Sequence, residues 1–155
     1  MDIKLDSTDI KLLELLQQDG RITTKALADK LKLTTTPVFE RIKRLEREGV
    51  IEKYVALVNQ KKIDKKLIVF VSIAIKNHTR SYLDSFTKEM NSHPEVQECY
   101  HIAGQFDYLL KVVLRDMEAY ERFIFTKLSV NPNIGNVQSS FVLSKNKYST
   151  ALKID

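Results

Sequence analysis

Residues 24–49, TKALADKLKLTTTPVFERIKRLEREG, decide how this chain is read. Leu27, Ala28 and Leu31 fall on one side of a first helix, and a short break follows at Lys32–Leu33. Thr34 is the expected N-cap of a second helix, its hydroxyl accepting from a free backbone N–H. Pro37 falls in that helix's first turn, where a missing N–H costs little. Val38, Ile42 and Leu45 recur at helical spacing and face inward, with Phe39 at the edge of the stripe. Thr36, Glu40, Lys43, Arg44 and Arg47 are left on the outer side, with Arg41 flanking. Gly49 stands where a left-handed C-cap is wanted. Two helices joined by a tight turn, the second basic and polar outside, suit a helix laid in the DNA major groove.

Outward from this pair, LDSTD at residues 5–9 reads as a helix start. Asp6 or Ser7 is its N-cap, and Asp9 sits near the positive end of the helix dipole. Ile10, Leu13 and Leu16 form its apolar stripe, and Asp19-Gly20 ends it. After Gly49 the period switches toward two over residues 50–58, which reads as a strand or small wing. Residues 1–58 thus make a winged helix-turn-helix domain, near the lower size limit for independent folding. The lysine-rich run NQKKIDKK, residues 59–66, reads as a linker.

Residues 67–155 follow a different plan. LIVFVSIAIK, from Leu67, is a β-branched run suited to a strand buried on both faces. A helix is expected over 79–92, with Tyr82, Leu83, Phe86 and Met90 inward and Pro94 closing it. Strands are expected at 96–103 and 107–114, separated by Gly104-Gln105-Phe106. A second helix at 116–129 turns Met117, Tyr120, Phe123, Ile124 and Leu128 inward, and a last strand covers 137–143. The order β-α-β-β-α-β is the ferredoxin-like plan, an antiparallel sheet with both helices on one face. The fold class is therefore α+β. Val69, Val71, Ile73 and Ile75, with Leu109 and Val113 or their strand neighbours, are the apolar surface expected to pair with another copy.

Charge and composition narrow the function. The chain carries 25 Lys/Arg against 20 Asp/Glu, and the excess is uneven: 15 against 11 over residues 1–66, and 10 against 9 thereafter. The basic surplus sits with the helix pair, as phosphate contact requires. The longest apolar run, Leu67–Val71, is too short to span a membrane. One cysteine, Cys99, points to a reducing cytoplasm. His78, His93 and His101 have no metal-ligand spacing with Cys99, and no glycine-rich phosphate loop or nucleophile triad is present, so neither a cofactor nor catalysis is expected.

Three segments in order carry a resemblance: LDSTDIKLLELLQQDGR, TTTPVFERIKRLEREGVIEKY and VQECYHIAGQFDYLLKV. With them the chain resembles the leucine-responsive regulatory protein/AsnC ("feast/famine") family of transcription regulators. The resemblance implies a non-enzymatic regulator of amino-acid metabolism genes that assembles as dimers, tetramers or octamers. It also implies a small amino acid bound between protomers. On the DNA side, Thr35, Thr36, Pro37, Glu40, Arg41, Lys43, Arg44 and Arg47 are the candidate contacts to double-stranded DNA. Lys43 and Arg44 lead that set, whereas Arg41, nearer the buried edge, has a partner Asp or Glu as its alternative.

For the effector, Gly104, Asp107 and Tyr108 match the family's Gly-Asp-Phe-Asp-Tyr turn. A free amino acid needs a carboxylate for its ammonium and backbone N–H groups for its carboxylate. Gln105 stands where the family often has Asp. Val137 and Ser139 stand where it often has two threonines, leaving Ser139 as the polar member. Ile102, Ala103 and Phe106 favour a neutral, apolar amino acid. Two other readings stay open: an effector-independent architectural DNA-binding protein, and a ferredoxin-like dimeric enzyme with an added binding module.

Overall fold

The computed structural model describes residues 4–154. The chain divides into two compact units: residues up to Leu57 together with those from Asn146 on, and residues Val58 to Lys145.

The first unit is three helices: α1 (Ser7–Gln18), α2 (Thr24–Leu31) and α3 (Thr35–Arg47). A capping box starts α1. The Asp6 carboxylate accepts from the N–H of Thr8 and Asp9, and the Asp9 carboxylate accepts from the N–H of Asp6. Thr23 caps α2 through Ala26 N–H. Lys32 takes a left-handed conformation, φ 55°, to make the turn into α3. Thr34 is the N-cap of α3 by backbone, but its hydroxyl makes no cap bond, contrary to expectation. Gly49, at φ 72°, permits the left-handed exit that its Cβ-free backbone allows. Leu12, Leu13, Leu27, Ala28, Val38 and Leu45 form the core, flanked by Leu16, Ile22, Leu31, Ile42, Val50 and Ile51.

Two expectations about this unit are overturned. Among its described residues there is no strand, so the strand expected over residues 50–58 does not form. The N–H groups of Val50 and Ile51 instead close α3 on the Leu45 carbonyl. Tyr54 donates to Glu46, and Val55, Leu57 and Val58 lie exposed. An alternating pattern needs a neighbouring strand to become a ladder, and this unit holds none. The domain boundaries also move. Residues 146–154 belong here rather than to the C-terminal domain: the Gln17 carboxamide brackets Leu152, accepting from its N–H at 2.7 Å and donating to its carbonyl at 3.0 Å, and Ile154 packs on the helical core.

The expected linker is part of the second unit and contains a 3-10 turn, Gln60–Ile63, capped by Asn59 and ended by left-handed Asp64. The rest is β1 (Leu67–Ile75), α4 (Arg80–Ser92), β2 (Val96–His101), β3 (Tyr108–Leu114), α5 (Met117–Phe123) and β4 (Ile134–Phe141). Asp116 caps α5, which runs into a π turn at Ile124–Leu128. The sheet order is β2-β3-β1-β4, antiparallel throughout, as the ferredoxin-like plan requires.

The sheet face assignment is corrected. Val69, Val71, Ile73 and Ile75 do not line an open face; they join Leu110, Val112, Phe86, Met90, Phe123 and Leu128 in the core. The opposite parity carries Phe70, Ser72, Ala74, Leu109, Lys111 and Val113, with Lys111 Nζ 2.6 Å from Glu98 in β2. Tyr82 and Met117, expected inward, are about half exposed. In the second helix Tyr120, Phe123, Ile124 and Leu128 pack in or against the core as expected.

Candidate DNA-binding helix and effector turn

The orientation of α3 is set by charge as much as by its apolar stripe. Asp9 of α1 is the one charged side chain among the described residues that is fully buried. Arg41 Nη1 reaches both Asp6 Oδ2 at 2.6 Å and Asp9 Oδ1 at 2.7 Å. Arg44 Nη2 bonds the other oxygen, Asp9 Oδ2. The carboxylate therefore has both oxygens on guanidinium groups from successive turns of α3, and one also accepts from Asp6 N–H. The N–H of Asp9 and the Arg41 guanidinium hold the Asp6 carboxyl below its ordinary range. The Asp6 and Asp9 carboxylates in turn hold Arg41 more firmly protonated.

This corrects the leading DNA candidate. Arg44 points along the α1 side of α3, where its Nε is buried without a hydrogen-bond partner, and its charge is committed to Asp9. Arg41 follows its alternative, the pairing with aspartate. Pro37 is exposed in the first turn on the same flank. The outermost stripe of α3 is Thr36, Glu40, Lys43 and Arg47, all exposed, with Thr35 exposed at the helix start. Lys43 bonds Glu46 at 2.8 Å and lies 5.7 Å from the Phe39 ring centre; Arg47 reaches Glu48 at 3.3 Å. These exposed contacts are weak and salt-sensitive, so neither cation is firmly committed to its partner.

In the second unit, β2 and β3 are joined by a turn through residues 102–107. The N–H of Ile102 bonds the Asp107 carbonyl at 2.8 Å, and the N–H of Asp107 bonds the Ile73 carbonyl of β1 at 2.9 Å. Gly104 stands at φ 143°, a conformation closed to other residues, although open space surrounds its missing Cβ. Gln105 is exposed. Asp107 Oδ2 accepts from Ile75 N–H at 2.7 Å, and Oδ1 lies 2.8 Å from His78 Nε2. The Ile75 N–H first, then His78, holds the Asp107 carboxyl below its ordinary range.

Two effector candidates are already occupied. Tyr108 is buried, its ring 4.6 Å from Phe86 and its hydroxyl bonded to Thr87 and the Leu83 carbonyl. Ser139 lies on β4, with β1 between it and the turn-bearing strand β3, and accepts from Tyr120 at 2.6 Å. The structure thus groups Gly104, Gln105 and Asp107 at the turn and leaves Ser139 apart. It adds His78, which spacing did not reveal because 29 residues separate it from Asp107. His101, at the end of β2, is exposed and stacks on Tyr108 at 4.9 Å.

Residues 5–52 match the model for a winged helix-turn-helix DNA-binding domain, and residues 68–152 match that of the Lrp/AsnC ligand-binding domain. The chain belongs to the Lrp/AsnC family. Among its Lrp/AsnC relatives, the transcriptional regulator AzlB of Bacillus subtilis is 37% identical over 155 residues, covering 100% of this chain and 99% of the relative. The leucine-responsive regulatory protein of Escherichia coli is 37% identical over 150 residues, 97% of this chain and 92% of that one. A transcriptional regulator of Neisseria meningitidis, solved as its L-Met complex, superposes with a TM-score of 0.92 at 34% identity, covering 96% of each chain. An AsnC family regulator from Agrobacterium tumefaciens gives 0.91 at 38% identity, again over 96% of each. The α+β fold and the recognition made from three sequence segments both stand. No helix among the described residues is long and apolar enough to cross a membrane.

Proposed function

We propose that this chain is a cytoplasmic, sequence-specific regulator of transcription that lays α3 in the major groove as a homo-oligomer and has no catalytic role. The observation that carries this reading is the division of labour on α3. Val38 and Leu45 bind the core, Arg41 and Arg44 bind α1, and Thr35, Thr36, Glu40, Lys43 and Arg47 remain outside. A helix held on two sides presents its third side at a fixed angle, which groove readout demands. A single helix makes few contacts, so pairing two copies, as a dimer, tetramer or octamer, supplies effective concentration.

The turn around Asp107 is the proposed effector site. A small neutral amino acid would place its ammonium on Asp107 Oδ1 and its carboxylate on the backbone around Gly104, at a junction between protomers. Such a ligand shifts DNA binding by as much as it prefers one assembly over another. The outcome proposed is control of amino-acid metabolism genes.

Selection of bound DNA from a random pool, with and without each of the twenty amino acids, tests both halves. A selected site whose binding shifts with a neutral amino acid fits the whole reading. A selected site indifferent to all twenty favours the effector-independent architectural alternative, for which the internally occupied Tyr108 and Ser139 speak. Absence of any selected site overturns the regulator reading.

A further inference from the structure

Asp107 is fixed on the backbone at three points: its N–H, its carbonyl and its Oδ2 all bond main-chain groups of β1 or of Ile102. Only Oδ1 is engaged by a side chain, His78. His78 is itself on a short segment between β1 and α4 that is held on either side. Asn77 N–H bonds Asn133 Oδ1 at 3.0 Å, Asn133 Nδ2 donates to the Asn77 carbonyl at 3.3 Å, and Thr79 N–H bonds Asn77 Oδ1 at 3.0 Å. The backbone on both sides of His78 is thus anchored, while its ring is 60% exposed against 22% for the Asp107 side chain. A rotation of that ring uncovers Oδ1 without moving the fold.

We propose that His78 is a displaceable imidazole cap on Asp107 Oδ1, which the ammonium of a bound amino acid must replace, so that His78 holds effector affinity down. This rests on the effector reading of the Asp107 turn. The imidazole N–H and the ammonium are both donors for the same carboxylate oxygen, and one oxygen so placed holds one of them well. Binding then turns the ring off Oδ1 into solvent, where 60% of its side chain already lies.

The other charged groups near the turn do not compete in this way. His101, at the end of β2, also acts electrostatically on Asp107, but its ring is stacked on Tyr108. Lys76 directs Nζ to the Pro132 carbonyl at 3.1 Å, and Arg80 lies 3.8 Å from Asp84. His78 is the histidine hydrogen-bonded to the carboxylate.

The test is calorimetry of the full-length protein with L-methionine and L-leucine at pH 7.5. H78A, which leaves Oδ1 uncapped, should bind about three- to tenfold more tightly than wild type, the net worth of one such bond. H78Q, which keeps a donor, should stay near wild type, and H101F should behave like wild type. Proton NMR of the His78 ring gives a direct check, its resonances shifting as the amino acid is added. H78A binding no tighter than wild type, or His78 resonances unmoved by a bound amino acid, overturns this inference alone. No binding of either amino acid to any of these proteins overturns it together with the effector reading.

Discussion

Arg44 of α3 bonds, through Nη2, the carboxylate of Asp9 in α1, which has no exposed surface. Arg41 takes the other oxygen, so the pairing welds the outer helix of the DNA-binding unit to the first one. A buried carboxylate between two guanidiniums is costly to form and costlier to break. Removing one partner from a fully buried pair costs typically about 3–5 kcal/mol. Arg41 and Arg44 keep 30% and 40% of their side-chain surface exposed, so Asp9→Asn should destabilise the N-terminal unit by about 1–3 kcal/mol in urea unfolding followed by circular dichroism. An effect under about 1 kcal/mol would mean the pair is worth no more than a surface one.

The same pairing revises what Arg44→Ala does. Read from sequence, that change weakens DNA binding and leaves the fold intact. With the Arg44 charge on Asp9, Arg44→Ala is expected to lower the melting temperature, and affinity should follow only as far as α3 loosens. Lys43→Ala and Arg47→Ala should behave in the opposite way. They should leave stability within about 0.5 kcal/mol, as exposed substitutions do. Each should also reduce the salt slope of DNA binding by about 1 if its cation meets a phosphate. Titrations between low and moderate salt separate the two classes.

The reach of the sequence is visible in these residues. Helical period placed Val38, Ile42 and Leu45 correctly because burial recurs with the turn of the helix. It could give the angle of Arg44 but not which neighbouring helix fills that angle, so Asp9 was read as a dipole residue alone. In LIVFVSIAIK both parities are apolar, Ile68, Phe70 and Ala74 as much as Val69, Val71 and Ile73. Hydrophobicity therefore named the strand and left its faces undetermined. The tail over residues 146–154 has no period at all, and Gln17 and Ile154 are among the residues that hold it on the helical unit. His78 meets Asp107 only in the folded chain, across 29 residues that sequence spacing does not bridge.

That tail gives a separate prediction. Gln17 bonds both backbone groups of Leu152, and Ile154 reaches the helical core. Deleting residues 146–155 should speed amide exchange in α1 and lower the stability of the N-terminal unit. Gln17→Ala should cost about 1 kcal/mol, the usual net worth of such a bond where water can compete. Exchange in α1 unchanged by the deletion would show that the tail contributes nothing to this unit.

Gly104 makes the turn at φ 143°, and no atom lies near its absent Cβ. Gly104→Ala therefore strains the backbone without a clash, at about 1–3 kcal/mol. The loss should appear in thermal unfolding of the full chain. A neutral result would mean that the turn relaxes to another conformation, which a changed backbone amide shift at Asp107 would report.

Acid sensitivity should trace to the helix caps. The N–H of Asp9 and the Arg41 guanidinium hold Asp6 below the ordinary carboxylate range in the folded state. A depressed folded value stabilises the fold above the unfolded value, near pH 4, and that contribution fades as pH falls through the folded one. Asp6→Asn should therefore destabilise the N-terminal unit at pH 7, and the difference from wild type should shrink steadily as pH falls below about 4. The measurement is urea unfolding of both proteins at half-unit steps from pH 7 to pH 2. A difference that stays constant across that range would assign the effect of Asp6 to its shape rather than its charge.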